Sequence, residues 1–189
     1  MQHDCSGTPT QDVHNLFFAL VPGDDVRARI AAAARELERS LAPLGRWLKP
    51  ARYHLTLQFL GQHAQFPSSL AERAIDAGDA VIATAFELVL DRAGSFGVRR
   101  IPGWLGCSRV PAGLRSLSDA LAQALRAHGV PAADPARFVP HVTVLRDAEE
   151  PISFVLPQAV AWPVGSFALI DSRVQPPAPY RVLREWPLR

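Results

Sequence analysis

Two short stretches of this chain repeat one pattern of histidine, apolar residue, threonine, apolar residue: His54-Leu55-Thr56-Leu57 and His141-Val142-Thr143-Val144. On an extended strand, residues i and i+2 project from the same face about 6.5–7 Å apart, so each stretch offers one imidazole and one hydroxyl to a common groove. One copy carries little weight, because a lone histidine on a strand is more often a hydrogen-bonded structural residue than a catalyst. Two copies make a clamp. In-line displacement at phosphorus needs a base for the incoming oxygen on one side and an acid for the departing oxygen on the other. Imidazole, with an ordinary pKa of about 6.5, fills either role near neutral pH. The two threonine hydroxyls can donate to the non-bridging oxygens, where charge accumulates. Arg146, five residues beyond His141, would face the other way on a regular strand. A strand end or a bulge would return it to the phosphate as an anion clamp, and otherwise it is a surface arginine.

Other uses of these residue types are weaker. A catalytic zinc takes about three protein ligands, and threonine is not a usual one. His63, just past Gly61, is available as a third imidazole, but a solvated loop position is the simpler reading, and His3, His14 and His128 read as surface or tail residues. Phe17, Phe18 and Phe138 are candidates for stacking on a nucleobase, the way single-stranded RNA ends are commonly held, with core packing the default for all three. Arg99 and Arg100 follow a glycine-containing loop and are candidates for flanking RNA phosphates, although an exposed arginine pair is usually a solvated surface.

The clamp requires its two motifs to lie on strands, and the surrounding pattern supplies them. Tyr53 to Leu60 alternates, with Leu55, Leu57 and Phe59 on one face and His54, Thr56 and Gln58 on the other, until Gly61. His141 to Arg146 reads as a second strand. Leu16 to Val21 is an apolar run stopped by Pro22-Gly23, the signature of a buried strand. A helix follows, capped by Asp24 or Asp25 and carrying Val26, Ile30, Ala33, Leu37 and Leu41 at spacings of three and four. Leu70 to Ile82 predicts another helix, and Pro111 opens a third with Leu114, Leu117, Leu121 and Leu125. Strands are expected at Phe86–Arg92, Trp104–Val110, Ser166–Val174 and Tyr180–Trp186. A weak internal repeat links the parts: a strand ending Val21-Pro22 leads through a helix to the first motif, and one ending Val110-Pro111 leads through a helix to the second. Pro22 to His54 spans 32 residues and Pro111 to His141 spans 30. Two copies of one unit, facing each other, would bring the histidine strands to opposite sides of a shared cleft.

The bulk numbers permit this. A length of 189 residues, 48% of them hydrophobic, fits one domain or two small lobes sharing a core. Net charge is +2 from 20 basic and 18 acidic residues, too balanced for a protein that coats nucleic acid by charge alone, so any contact with RNA should be local. Lys49 is the sole lysine, and the arginines that make up the other basic residues can donate two parallel hydrogen bonds to phosphate. The two cysteines, Cys5 and Cys107, provide neither a disulfide framework nor a thiolate zinc site. No apolar stretch approaches the roughly 18 residues needed to span a bilayer, and a soluble cytoplasmic protein is expected. Residues 1–14 are polar and aperiodic and read as a disordered tail, with one domain over 15–189.

With these residues in view, the chain resembles the two-histidine phosphoesterase superfamily, and within it the bacterial and archaeal RNA 2',3'-cyclic phosphodiesterases also called 2'-5' RNA ligases. The resemblance rests on Leu16-Phe17-Phe18-Ala19-Leu20, on His54 to Gly61 (HLTLQFLG), on Gly94 to Gly106 (GSFGVRRIPGWLG), on Phe138 to Arg146 (FVPHVTVLR) and on Tyr180 to Trp186 (YRVLREW). These stretches span nearly the whole chain after residue 14. Val144 stands where the second motif usually has leucine. The resemblance implies an α+β fold, bilobal, with two pseudo-symmetric antiparallel-sheet lobes, outer helices and a central cleft. It also implies hydrolysis of a terminal 2',3'-cyclic phosphate to a 2'-phosphate without metal or other cofactor, with 2'-5' joining as the reverse type of reaction. By motif position, His54 would be the proton donor to the O3' leaving group and His141 the base for water, while Thr56, Thr143 and Arg146 would hold the phosphate. The expected partner is RNA with a 2',3'-cyclic phosphate end, tRNA halves among the candidates, acted on by a monomer with no membrane contact. Three alternatives stay open: a phosphodiesterase for another cyclic or 2'-5' linked nucleotide, an RNA-end-binding module without turnover, and a metallohydrolase.

Overall fold

Leu16, Phe18 and Leu20 have no exposed surface and form the inner face of β1 (Val13–Leu20), the buried strand that their apolar run predicts. The computed structural model describes residues 13–97, 101–175 and 178–189. The strand starts two residues ahead of the expected tail boundary. His14, read from sequence as a tail residue, is held in β1 with its Nδ1 2.8 Å from the buried carboxylate of Asp171. Residues 1–12 lie outside the described residues, as do Arg99 and Arg100.

After Pro22, α1 (Asp24–Leu41) buries Val26, Ile30, Ala33 and Leu37 at helical spacing. Its N-cap is Gly23 and has no side-chain cap bond, so Asp24 and Asp25 are not the cap. They sit in the first turn, where negative charge complements the free N–H groups. Leu41, in the last turn, is 45% exposed and outside the core. The chain then runs through β2 (Arg46–Trp47), a 3-10 turn at Pro50–Arg52, β3 (Leu55–His63), α2 (Ser68–Asp79), β4 (Phe86–Ser95), β5 (Ile101–Gly106) and α3 (Ala112–Ala127). A second 3-10 turn at Pro135–Arg137, β6 (His141–Ala148), β7 (Ser153–Val164), β8 (Ser166–Gln175) and β9 (Arg181–Pro187) complete it. Sequence periodicity does not reveal β7, which contains Pro157 and Pro163. The strand lies at the sheet edge, where a proline costs no inner ladder bond.

The strands are ordered β7-β4-β5-β6-β3-β1-β8-β9, with β2 added on β6 and all pairs antiparallel. Cut between β6 and β3, the order gives two four-stranded halves, β6-β5-β4-β7 and β3-β1-β8-β9, which are the two expected lobes. They are joined into one sheet by a single ladder pair, Leu55 with Val142. The repeat is visible as β1-α1-β3 and β5-α3-β6, each with a Pro-Ala-Arg 3-10 turn before its histidine strand. α1 crosses the seam, leaving β1 to pack on β7 of the other half, while α3 leaves β5, packs on α2 and bridges β4 of its own half and β3 of the other. Leu55 and Val142 are fully buried in the main core with the apolar faces of α1 and α3. The four motif residues, His54, Thr56, His141 and Thr143, are half-buried and lie on the opposite face, which none of the helices among the described residues covers.

Candidate active site

A bulge in each histidine strand decides which side chains share the open face. In β3, Thr56 pairs with Ala19 and Gln58 with Phe18, so Leu57 is an extra residue. Leu57 and Gln58 both turn inward, at 3% and 2% exposure, and Phe59 emerges at 53%. Strict alternation predicts the reverse, Phe59 in the core and Gln58 beside His54. The bulge shifts the phase by one residue. Gln58 instead pins the loop before the second 3-10 turn, accepting from Ala133 N–H at 2.8 Å and donating to the Ala133 carbonyl at 3.4 Å. In β6, Thr143 pairs with Trp104 and Leu145 with Gly103, leaving Val144 as the extra residue. Val144 and Leu145 are both fully buried, and Arg146 comes out on the face of His141 and Thr143. The bulge anticipated for Arg146 is therefore present. Since both strands bulge at the same place, Phe59 and Arg146 occupy equivalent positions, five residues after each histidine.

The Leu55–Val142 pair fixes how the motifs face each other. Continued by one residue in each direction, that antiparallel register sets His54 across from Thr143 and Thr56 across from His141. The imidazoles are oriented alike. His54 Nδ1 is 2.9 Å from the Arg52 carbonyl and His141 Nδ1 is 2.7 Å from the Val139 carbonyl, each two residues back along the chain. A carbonyl only accepts, so Nδ1 carries the hydrogen in both rings, and Nε2 is the atom left for chemistry. His54 has further support. The Tyr180 hydroxyl lies 3.0 Å from its Nδ1 and donates to the Arg52 carbonyl at 3.3 Å, and the Arg52 guanidinium lies 3.9 Å over the Tyr180 ring. Arg52 is itself held by the Ala178 carbonyl and the Ser172 hydroxyl, both at 3.0 Å. His141 is flanked instead by rings: Phe96 edge-on at 4.9 Å and Trp104 at 6.3 Å.

Burial lowers the pKa of both imidazoles. His54 is pushed down to about 4, first by desolvation and then by Arg52, His141 and Arg146, against the hydrogen bond to Arg52 that favours the cation. For His141 burial outweighs the bond to Val139, and the shift is again downward. Near neutral pH the free protein therefore holds two neutral rings, each with a lone pair on Nε2, beside two guanidinium groups.

Each histidine lines a separate cavity. One, of about 310 Å³, is lined by His54, Thr56, Phe59, Arg52, Arg146 and Tyr180 and is polar and cationic. The other, of about 870 Å³, adjoins His141 and is lined mainly by Leu57, Phe96, Phe138 and Val139, with Arg137 and Asp134. The Phe17 ring lies tilted at 4.9 Å from the His54 ring and Phe138 borders the His141 cavity, whereas Phe18 is a core residue with no exposed surface. His63 Nε2 lies 3.3 Å from the Leu60 carbonyl, and His128 closes the end of α3. Among the described residues no group of three or more His, Cys, Asp or Glu side chains is placed to hold a metal ion, and no helix is long and apolar enough to cross a membrane. Sequence reasoning missed the roles of Arg52, Tyr180, Phe96 and Trp104. The repeated Pro-Ala-Arg ahead of each motif was the one available signal, for Arg52.

The family model of the 2'-5' RNA ligase superfamily matches residues 22–176. The RNA 2',3'-cyclic phosphodiesterase of Escherichia coli is 34% identical over 149 residues, 76% of this chain and 80% of that protein. The RNA 2',3'-cyclic phosphodiesterase of Thermus thermophilus is 31% identical over 192 residues, covering 92% and 90%. The crystal structure of E. coli LigT complexed with 3'-AMP superposes with a TM-score of 0.75 at 28% identity, covering 93% of this chain and 98% of that one.

Proposed function

The chain belongs to the 2'-5' RNA ligase superfamily, and from that premise we propose that it is an RNA 2',3'-cyclic phosphodiesterase that opens the terminal cyclic phosphate to a 2'-phosphate without metal. The observation that carries the mechanism is the matched pair of imidazoles, each fixed through Nδ1 to a backbone carbonyl with its Nε2 free. The phosphate sits between them. Thr56 and Thr143 donate to its non-bridging oxygens, and Arg146, returned by the β6 bulge, neutralises its charge. His141 takes the proton of the attacking water, the P–O3' bond breaks, and His54 gives O3' its proton. The net result is one water consumed, a 2'-phosphate, and a 3'-hydroxyl.

His54 must hold a proton for this, although in the free protein it is neutral. An anionic phosphodiester beside Nε2 favours the imidazolium, so substrate and proton arrive together. Tyr180 and the Arg52 carbonyl keep the ring in the one tautomer that serves. Cleaved tRNA halves that end in a cyclic phosphate are the natural RNA to try first, in the cytoplasm, and every residue invoked comes from one chain, in keeping with a monomer.

The test is incubation with an RNA ending in a 2',3'-cyclic phosphate in excess EDTA, with the position of the product phosphate resolved. The expected outcome is a 2'-phosphate, lost by at least about 10²-fold in His54→Ala and in His141→Ala. A substrate bound tightly but left intact would make the protein an RNA-end-binding module instead.

A further inference from the structure

The two 3-10 turns are anchored through the same backbone N–H, two residues ahead of each opening proline, but to different kinds of partner. Ahead of Pro50, Leu48 N–H donates to the Val144 carbonyl at 2.8 Å, and the Arg46–Arg146 and Trp47–Leu145 pairs of the β2–β6 ladder continue the contact. Ahead of Pro135, no strand corresponding to β2 is present among the described residues. Ala133 N–H donates instead to the Gln58 side chain at 2.8 Å, and the Gln58 amide donates back to the Ala133 carbonyl at 3.4 Å. Two bonds exchanged with one residue is what a strand residue does across an antiparallel ladder, so the carboxamide imitates a strand. The bulges make Leu145 the counterpart of Gln58 in the other half, and Leu145 is fully buried and apolar. A carboxamide at 2% exposure is costly unless its bonds are made, and leucine in its place could not make them.

Each turn leads into the carbonyl that holds an imidazole, Arg52 for His54 and Val139 for His141. The first turn is braced again by the Arg52 guanidinium on the Ala178 carbonyl and the Ser172 hydroxyl, and by Tyr180 on the Arg52 carbonyl. The second is held by Asp134, which accepts from Ala136 N–H at 3.0 Å within the turn itself, and by Gln58. Of these two, Gln58 alone reaches the other half, at a seam where the β3–β6 ladder contributes one pair. We propose that Gln58 is a positioning residue for His141: its carboxamide stands in for a strand and, by fixing the turn, keeps the Val139 carbonyl against the imidazole Nδ1. The proposal rests on the two-histidine reading above. With the clip removed, the segment from 131 to 139 shifts and the Val139 bond loosens. The Nδ1–H tautomer then loses its preference, and a ring that carries its hydrogen on Nε2 cannot take a proton from water there.

The experiment uses Gln58→Met, which keeps the length of the side chain and removes both hydrogen-bonding groups. On a short RNA ending in a 2',3'-cyclic phosphate, kcat should fall at least about tenfold with KM nearly unchanged, since a small misplacement of the base costs rate rather than binding. The ring 15N signals of His141 should move from the Nδ1–H tautomer towards a mixture, while those of His54 stay in place. In the unmodified protein, the Ala133 amide should exchange its hydrogen slowly, as the Leu48 amide does, and this measurement keeps the test valid should the variant fold poorly. An Ala133 amide that exchanges as in an open chain overturns the proposal. So does an unchanged kcat, or a fall in kcat that leaves the His141 tautomer as it was, because Gln58 would then serve stability alone. Absence of hydrolysis by the unmodified protein is a different failure. It removes the reading on which the proposal rests, and the tautomer and exchange measurements still report on the clip.

Discussion

Arg146, proposed above as the phosphate clamp, also acts on His54. Its charge is among the causes that hold the His54 imidazole near 4. In the free protein the productive form carries one proton on the pair, and lowered pKa values make that form scarce at neutral pH, so kcat/KM should rise towards acid. Replacing Arg146 by Gln removes a positive neighbour and raises the His54 pKa. The titration midpoint of His54 should then move to higher pH while the maximum of kcat/KM drops by roughly 10- to 150-fold, the worth of a charge-assisted hydrogen bond of about 1.5–3 kcal/mol. NMR titration of the His54 ring protons reads the first effect and steady-state kinetics the second. A His54 midpoint that stayed put or moved to lower pH would separate Arg146 from His54. The two histidine–threonine pairs stood out as candidates in the sequence because the motif occurs twice, whereas Arg146 has Phe59 at the equivalent position and owes nothing to the repeat. Tyr180 did not stand out, since it reaches His54 across 126 residues of chain and periodicity carries no information at that separation.

At the scale of elements, the site depends on how closely strands approach. Trp104 of β5 lies beside His141, and two glycines make room for its ring. A methyl group on Gly94 would stand 2.5 Å from the indole, and one on Gly106 would stand 2.8 Å from it and 3.1 Å from the Pro140 carbonyl. Gly106 pairs directly with His141 in the β5–β6 ladder. Gly106→Ala should therefore destabilise the fold by about 1–3 kcal/mol, the usual cost of overpacking. It should also lower kcat by displacing the indole towards the imidazole. Urea unfolding and kcat on the same preparation test both, and a variant with unchanged kcat would show that the Trp104 ring does not set the position of His141. Strand identity along β1, β3, β6 and β8 was readable from apolar patterning. The bulges at Leu57 and Val144 were not, because one inserted residue leaves composition untouched and only reverses which side faces out. That is why Phe59 was assigned to the core and Gln58 to the cleft.

For the whole molecule, a buried neutral imidazole couples catalytic readiness to stability. An unfolded chain takes up a proton on His54 near pH 6.5, whereas the folded site resists it down to about 4. Across that window the unfolded state binds more protons, so stability must fall as pH drops from about 6.5 through 4. Thermal melts should show Tm falling over this range, and His54→Ala should flatten the decline. Inorganic phosphate, as a ligand of the folded site, should recover part of it. The two-half architecture was legible from the offsets of the repeat. Its single ladder pair at the centre and its crossing helices were not, because both depend on which half covers which.

Those crossing helices bear on ancestry. A half-length chain would leave the strand surface under α1 or α3 uncovered, so two copies would have to associate, each lending its helix to the other. In such a symmetric pair both histidines would share one environment, and the position five residues later would be arginine twice or phenylalanine twice. Covalent fusion of the copies lifts that identity. One half is then free to keep Phe59 while the other keeps Arg146, and a site that symmetry would leave without direction gathers its arginines on the His54 side alone.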